Sequence, residues 1–546
     1  MAKTVSYRRN ICLLIVAVLA CAAVGRSETK AAGEVSSRAT EQHSSAALAP
    51  LMSRLGMNLA GPTDWSTEFP FVDVFHLSRK WISQRRGTPW GKGPELERDA
   101  NGWITRLAPD CWADTPLLTE SHGHAPTGDY VCLYEGEGTI DFSNSKIVSR
   151  QSGRMVVRID ASRGGTFLSL RSTNPANYVR NIRVIMPGFE GSYRDEPFYP
   201  PFLQRWHEFN TFRFMDWMLT NGSRVSAWQE RPTPGYCNCT EHGMPVETMV
   251  DLCNRLRVNP WFCMPHLASD DYVRHFARLV RQTLHPSLEV YLEYSNEVWN
   301  SQFPQHQYAE AKGKELSLGH ADRPWEGAGM FYAQRSVEIF RIWEEAFGGH
   351  QRLVRVIAWQ AAGGSYWNDK IVLSHQQAYR HTDALAIAPY ITMCIGPKSK
   401  PDAQTVAQWN VEQVLDYAEN EALPKSLEWI KIQKQVAENH GIKLVCYEAG
   451  QHLVGVAGGE NNEALTQLFR AANRHPRMGA IYTKYLDAWR DLGGDLMCIF
   501  SSTARWSKWG SWGLTEYLDE TDSDQPKFKA VTEWNRANPR RIGRAR

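Results

Sequence analysis

The sequence predicts an α/β fold, a (β/α)8 TIM barrel interrupted by an inserted β-rich, sandwich-like module. Three observations carry this expectation. Eight short apolar runs of strand character are spread along the chain, amphipathic helical stretches lie between them, and the region between the first and second runs changes to short alternating segments punctuated by Gly, Ser and Asn. No Gly-rich phosphate loop opens a helix after a strand, which weighs against a doubly wound nucleotide-binding sheet, the runner-up architecture.

The chain has 546 residues, enough for one large domain and a smaller module. Residues 1–26 read as a signal peptide: Arg8 and Arg9, an apolar run from Ile11 to Val24, and polar sequence from Arg26. The Arg8-Arg9 pair resembles a twin-arginine signal, and Val18-Leu19-Ala20-Cys21 resembles a lipoprotein cleavage site. The expected location is therefore secreted or periplasmic. A lipid anchor at the envelope stays open, and no membrane span is expected once the signal is removed. Residues 27–50, rich in Ala, Ser, Glu and Thr, read as a flexible leader.

The barrel begins within 51–101, where Leu55 to Leu59 is the first strand candidate. Residues 102–190 form the expected β-rich module, with alternating runs such as Tyr130 to Tyr134, Arg154 to Ile159 and Thr166 to Leu170. The rest of the barrel occupies 191–546. Its strand candidates are Phe209 to Phe214, Pro260 to Met264, Leu288 to Tyr294, Leu353 to Ala358, Ala384 to Ala388, Lys443 to Tyr447 and Leu496 to Phe500. Between them run amphipathic stretches, such as Tyr272 to Leu284, with Val273, Phe276, Ala277, Val280 and Leu284 at helical spacing.

Composition narrows the partners. Lys and Arg number 61 against 59 Asp and Glu, a net charge of +2, and no like-charged run marks a nucleic-acid or membrane-surface footprint. A neutral or weakly charged partner fits better. The 21 Trp are many for this length, and indole faces stack on the C–H faces of sugars, although most Trp belong to cores. Of the 11 Cys, Cys12 and Cys21 lie in the signal; the others do not reveal a disulfide pairing, and Cys237-Asn238-Cys239 lacks a second thiol pair at zinc spacing. No metal or cofactor is expected.

In a (β/α)8 barrel, reactive groups sit where strands end, because those loops converge on one mouth. The fourth strand candidate runs into Ser295-Asn296-Glu297-Val298-Trp299-Asn300 and the seventh into Tyr447-Glu448-Ala449-Gly450. Each thereby puts one Glu just past an apolar strand. Two carboxylates at one mouth are what glycosidic cleavage requires: one protonates the leaving oxygen, and the other attacks the anomeric carbon or activates water.

These two segments resemble the fourth- and seventh-strand motifs of the clan A glycoside hydrolases, a group of retaining barrel enzymes. The resemblance extends over the barrel without selecting a particular family. It implies a retaining, double-displacement glycosidase acting on a poly- or oligosaccharide, with Glu297 as acid/base and Glu448 as nucleophile. It further implies that Asn296 bonds the sugar 2-hydroxyl, that Arg213 bonds the nucleophile and holds it ionised, and that Tyr390 donates to it. His266, closing the third strand, is a candidate contact to the sugar. Trp506 or Trp509, after the eighth strand, is the candidate platform for the sugar, and Trp299 and Trp359 extend the cleft. The β-rich insertion departs from a simple clan member. One rival is a non-catalytic carbohydrate-binding barrel; another is a metal-dependent hydrolase using His266, Asp270 and Asp271, although no His-x-His pair ends a strand.

Overall fold

The computed structural model describes residues 53–539, so the signal peptide and the leader expected over 1–50 lie outside the described residues. Eight parallel strands close a barrel in chain order: β1 Leu55–Asn58, β2 Thr211–Arg213, β3 Asn259–Met264, β4 Val290–Tyr294, β5 Leu353–Ala358, β6 Ala384–Ile387, β7 Lys443–Cys446 and β8 Met497–Phe500. β8 pairs with β1 over Leu55↔Met497 to Asn58↔Phe500 and closes the ring.

Alternation along the strands divides the buried side chains into two cores. The lumen is filled by Trp261, Cys263, Tyr291, Val356, Ala386, Val445, Tyr447 and Cys498. Outward-facing residues such as Phe212, Phe262, Leu292, Ile357, Leu385 and Leu444 meet the helices. The helix Asp270–Thr283 shows how the sequence builds that outer layer. Ser269 caps it by accepting from the Tyr272 amide, and Tyr272, Val273, Phe276, Ala277 and Val280 form its buried stripe. Gly56 is dictated by close approach inside the lumen: a Cβ there would lie 2.5 Å from Cys498 Sγ and 3.0 Å from the Thr211 carbonyl oxygen.

The β-rich region forms two four-stranded antiparallel sheets. One has the order Ile82–Arg85, Cys111–Leu117, Thr166–Thr173, Gly138–Ser143, and the other Arg180–Ile185, Gly128–Glu135, Arg154–Ile159, Lys146–Gln151. The first sheet includes a strand upstream of residue 102. Ile82-Ser83-Gln84-Arg85 has one apolar residue in four and gives no alternation to read. Entry and exit of the module are tied together, since Asp73 accepts from the amides of Phe75 and Val184 and the Met186 amide donates to the Val72 carbonyl. Closely spaced ends are what allow a domain to be inserted into a loop.

The module also reaches the mouth of the barrel. Its segment Leu118 to Ala125 packs on the loop after β8, with the His124 ring stacked on Tyr517 at 3.7 Å and bonded to Asp519 at 2.7 Å, and with Glu120 paired to Arg505. All nine cysteines of the described residues are buried. No helix among the described residues is long and apolar enough to cross a membrane.

Candidate active site

At the C-terminal ends of the strands, Arg213 is the hub of a buried network. It stands on β2 with Phe212 turned to the helices, so its own side chain enters the lumen, where it is fully buried. Nε and Nη2 donate to Glu293 at 3.0 and 3.1 Å, Nη1 to Asn58 Oδ1 at 3.1 Å and Glu448 Oε1 at 2.9 Å, and Nη2 to Asn296 Oδ1 at 2.8 Å. Its guanidinium also lies over the rings of Trp261 and Tyr447. Such a cation is tolerated out of water only because its donors are satisfied and carboxylates face it.

Glu448 follows β7 and is 5% exposed. Arg213 supplies one of its oxygens and the Tyr390 hydroxyl the other, at 2.8 Å. Burial and the Glu448 charge push the Tyr390 phenol far up, so it remains a donor.

Glu297 follows β4 in a different setting. Asn300 Nδ2 donates to its Oε2 at 3.0 Å and the Tyr447 hydroxyl to its Oε1 at 3.2 Å, and no cation among the described residues bonds it. Burial, and then the charge of Glu448, push its carboxyl up to about 8. The backbone that presents it is strained: Ser295 and Glu297 have φ of 60° and 43°, a region that side chains with a Cβ rarely occupy. Three bonds hold it there, from the Ser295 amide to the Met264 carbonyl, from Gln305 Nε2 to the Asn296 carbonyl, and from the Asn300 amide to the Glu297 carbonyl, each at 2.8 Å.

Four of the expected residues thus meet in one network, Glu448, Asn296, Arg213 and Tyr390, and Glu297 stands beside it, bonded to Tyr447, whose ring lies against the Arg213 guanidinium. Asn296 is fixed at both ends of its amide, accepting from Arg213 and donating to Asn221 at 3.0 Å. Trp299 is half-buried and donates to the Tyr447 hydroxyl, which places it beside Glu297. His266 ends at the mouth but bonds neither glutamate; its ring meets Tyr308 edge-on and its buried Nδ1 has no hydrogen-bond partner.

The aromatic expectation needs correction. Trp506 is 1% exposed and lies against the cations of Arg474 and Lys527, so it has no free face for a sugar. Trp509 is half-buried with Lys508 over its ring. Trp512 is the ring at the site: half-exposed, 5.9 Å from Tyr390 and 5.7 Å from Phe500, with its indole N–H donated to the Trp509 carbonyl. Trp359, 4% exposed, packs on Tyr332 and Trp367 in the core. The rival acidic pair fares no better as metal ligands. Asp270 and Asp271 open the helix after β3, and Asp270 pairs with Arg335.

Several participants carried no motif. Glu293, fully buried in β4, accepts from Arg213, and from Trp261 Nε1 at 2.8 Å, and so anchors the hub from below. A carboxylate inside an otherwise apolar strand was the available signal, since such groups are rarely buried unpaired. Asp216, after β2, is a third carboxylate near Glu448; burial and the Glu448 charge push it up to about 7.

No protein-family model matches the chain, and no curated protein sequence matches it. Solved structures with a similar course include a 4-O-α-L-rhamnosyl-β-D-glucuronidase from Fusarium oxysporum, with 10% identity over 59% of this chain and 60% of that one and a TM-score of 0.37. They also include a family 5 mannosidase from Rhizomucor miehei, with 10% identity over 61% and 85% and a TM-score of 0.32. A third is an endo-β-1,4-mannanase from Thermotoga petrophila, with 11% identity over 62% and 73% and a TM-score of 0.31. The chain thus spans 60% of the length of the first of these. Scores this low add nothing to the fold, which the strand order establishes.

Proposed function

We propose that this protein is a retaining glycoside hydrolase that cleaves O-glycosidic bonds of a poly- or oligosaccharide by double displacement. The observation that carries this is the division between two glutamates at one mouth. Glu448 accepts from a buried cation and a phenol, whereas Glu297 is desolvated, is bonded by no cation among the described residues, and is pushed up to about 8. Environments that separate two carboxyls in this way assign the base or nucleophile to one and the acid to the other.

In the first step, Glu448 attacks the anomeric carbon while Glu297 gives its proton to the leaving glycosidic oxygen. The C–O bond to the leaving group breaks and a glycosyl ester forms on Glu448. In the second, Glu297, now a carboxylate, takes a proton from water, which attacks the same carbon and frees Glu448. Arg213 and Tyr390 orient the Glu448 oxygens and take up their charge when the ester breaks. In this reading Asn296, held by Arg213, meets the 2-hydroxyl, and Trp512, packed beside Phe500, meets the sugar face. With the reading of the N-terminus given above, the enzyme acts outside the cytoplasm.

Brief exposure to a 2,4-dinitrophenyl glycoside, followed by mass spectrometry, tests the assignment. This leaving group needs no proton, so Glu297→Ala accumulates an adduct on Glu448, whereas Glu448→Gln forms none. An adduct on another residue, or ordinary turnover in either variant, overturns it. Sugar binding without hydrolysis by the wild type would favour the non-catalytic reading.

A further inference from the structure

A cluster of aromatic rings that includes the exposed Trp90 lies on the inserted module, apart from the network at the mouth of the barrel. Along Cys111–Leu117, Ala113 and Leu117 point inward and are fully buried, so Trp112 turns outward and is half-exposed, with Asp114 and Pro116 buried on the same side. On the neighbouring strand, Phe167 and Ser169 register with Pro116 and Asp114 on that face, while Leu168 and Leu170 point inward. Trp90, 58% exposed, stands edge-on against Phe167 with ring centroids 5.5 Å apart.

The face is built rather than incidental. Trp112 Nε1 donates to Asp114 Oδ2 at 3.0 Å and Ser169 donates to the other oxygen of the same carboxylate, which fixes the indole. The exposed Arg171 guanidinium lies 5.1 Å from the Trp112 ring and has no carboxylate partner among the described residues. The exposed Trp90 ring, together with the half-exposed Trp112 ring whose N–H is satisfied and a cation with free donors, suits the C–H faces and hydroxyls of a sugar chain better than a protein partner's apolar core.

The same strand is tied to the loop after β1. Pro116 and Thr115 bond the Arg79 backbone through the Pro116 carbonyl and the Thr115 hydroxyl. Arg79 holds Asp64 with two donors, and its guanidinium lies 5.1 Å from the ring of Trp65, 37% exposed on the loop after β1. We infer that the outer face of this sheet, centred on Trp90 and Trp112, binds a stretch of polysaccharide distant from the bond being cleaved, along a track that enters the mouth past Trp65. This inference rests on the glycosidase reading for the identity of the ligand, not for the existence of the site.

Affinity electrophoresis of the full chain tests it, in native gels that each contain galactomannan, xylan, a mixed-linkage β-glucan or polygalacturonate. The wild type is retarded in at least one gel. Trp90→Ala with Trp112→Ala loses that retardation by at least about tenfold in apparent Kd, about 1.4 kcal/mol, with hydrolysis of a small aryl glycoside unchanged. Trp90→Ala alone, at an exposed ring, gives the same direction should the double variant fail to fold. If Arg171→Ala loses retardation only in polygalacturonate, the bound chain is a uronate polymer; if it loses retardation in the neutral gels as well, the guanidinium serves hydroxyls. Equal retardation of wild type and variants, or no retardation in any gel, overturns the site. Retardation lost in the variants of a wild type that hydrolyses nothing sustains the site and removes the catalytic reading; hydrolysis without retardation does the reverse.

Discussion

Replacing Glu297 by glutamine tests the acid assignment through a proton rather than through lost activity alone. The side chain keeps its shape: its carbonyl oxygen can accept from Asn300, and its amide can donate to the Tyr447 oxygen. The carboxyl titrates near 4.5 in the unfolded chain and is pushed up to about 8 in the folded one. Between those values the folded protein holds one proton more than the unfolded chain, so stability falls as pH rises through this window. The stabilisation is fully present below the unfolded value and is lost above about 8, and its size is roughly 5 kcal/mol. Glu68 and Asp216, both pushed up to about 7 by burial, shift stability in the same direction, so only the difference between wild type and variant isolates Glu297. Urea unfolding at about pH 5 and about pH 9 should show the wild type losing several kcal/mol more than Glu297→Gln. Turnover of a glycoside with a poor leaving group should fall about 10²- to 10⁴-fold in the variant, and wild-type turnover should fall as pH passes about 8. Parallel loss of stability in the two proteins would mean that Glu297 holds no extra proton, and the acid assignment would go with it.

Arg213→Met leaves Glu293 and Glu448 buried without their cation and should cost about 3–5 kcal/mol, read as a lower urea midpoint; an unchanged midpoint would show that the cation does not hold these carboxylates. Gly56→Ala places a methyl 2.5 Å from Cys498 Sγ and should cost about 1–3 kcal/mol in thermal unfolding, whereas a neutral result would mean the lumen relaxes freely. Trp512→Ala should reduce kcat/KM by about tenfold, equivalent to 1.4 kcal/mol, with the fold retained, and Trp506→Phe should alter stability with kcat/KM unchanged; the opposite pattern would restore Trp506 as the platform.

The strands, the barrel and the two glutamates were legible because each has a local cause. Strand runs such as Leu353 to Ala358 and Val290 to Tyr294 are almost wholly apolar since both faces of a barrel strand are buried, and Glu297 and Glu448 stand just past such runs. The alternation of Arg154 to Ile159 likewise announces a sheet with one buried face. The extent of the module was less legible. Ile82–Arg85 joins its sheet through backbone pairing with Cys111–Leu117, which leaves no trace in a polar four-residue segment.

The choice among the tryptophans after β8 belonged to tertiary structure alone. Trp506, Trp509 and Trp512 are the same residue type within seven positions, and only the packing of Arg474 and Lys527 on the first turns it away from the mouth, while Tyr390 and Phe500 draw the third toward it. The same holds for the hub. Sequence by itself fixed which residues can carry charge and on which strand each stands, because period and residue type are local properties. Only closure of the barrel decided that Asn58, Arg213, Glu293, Asn296 and Glu448 share one buried network, since strands far apart in the chain meet there and the cost of burying a charge depends on what faces it.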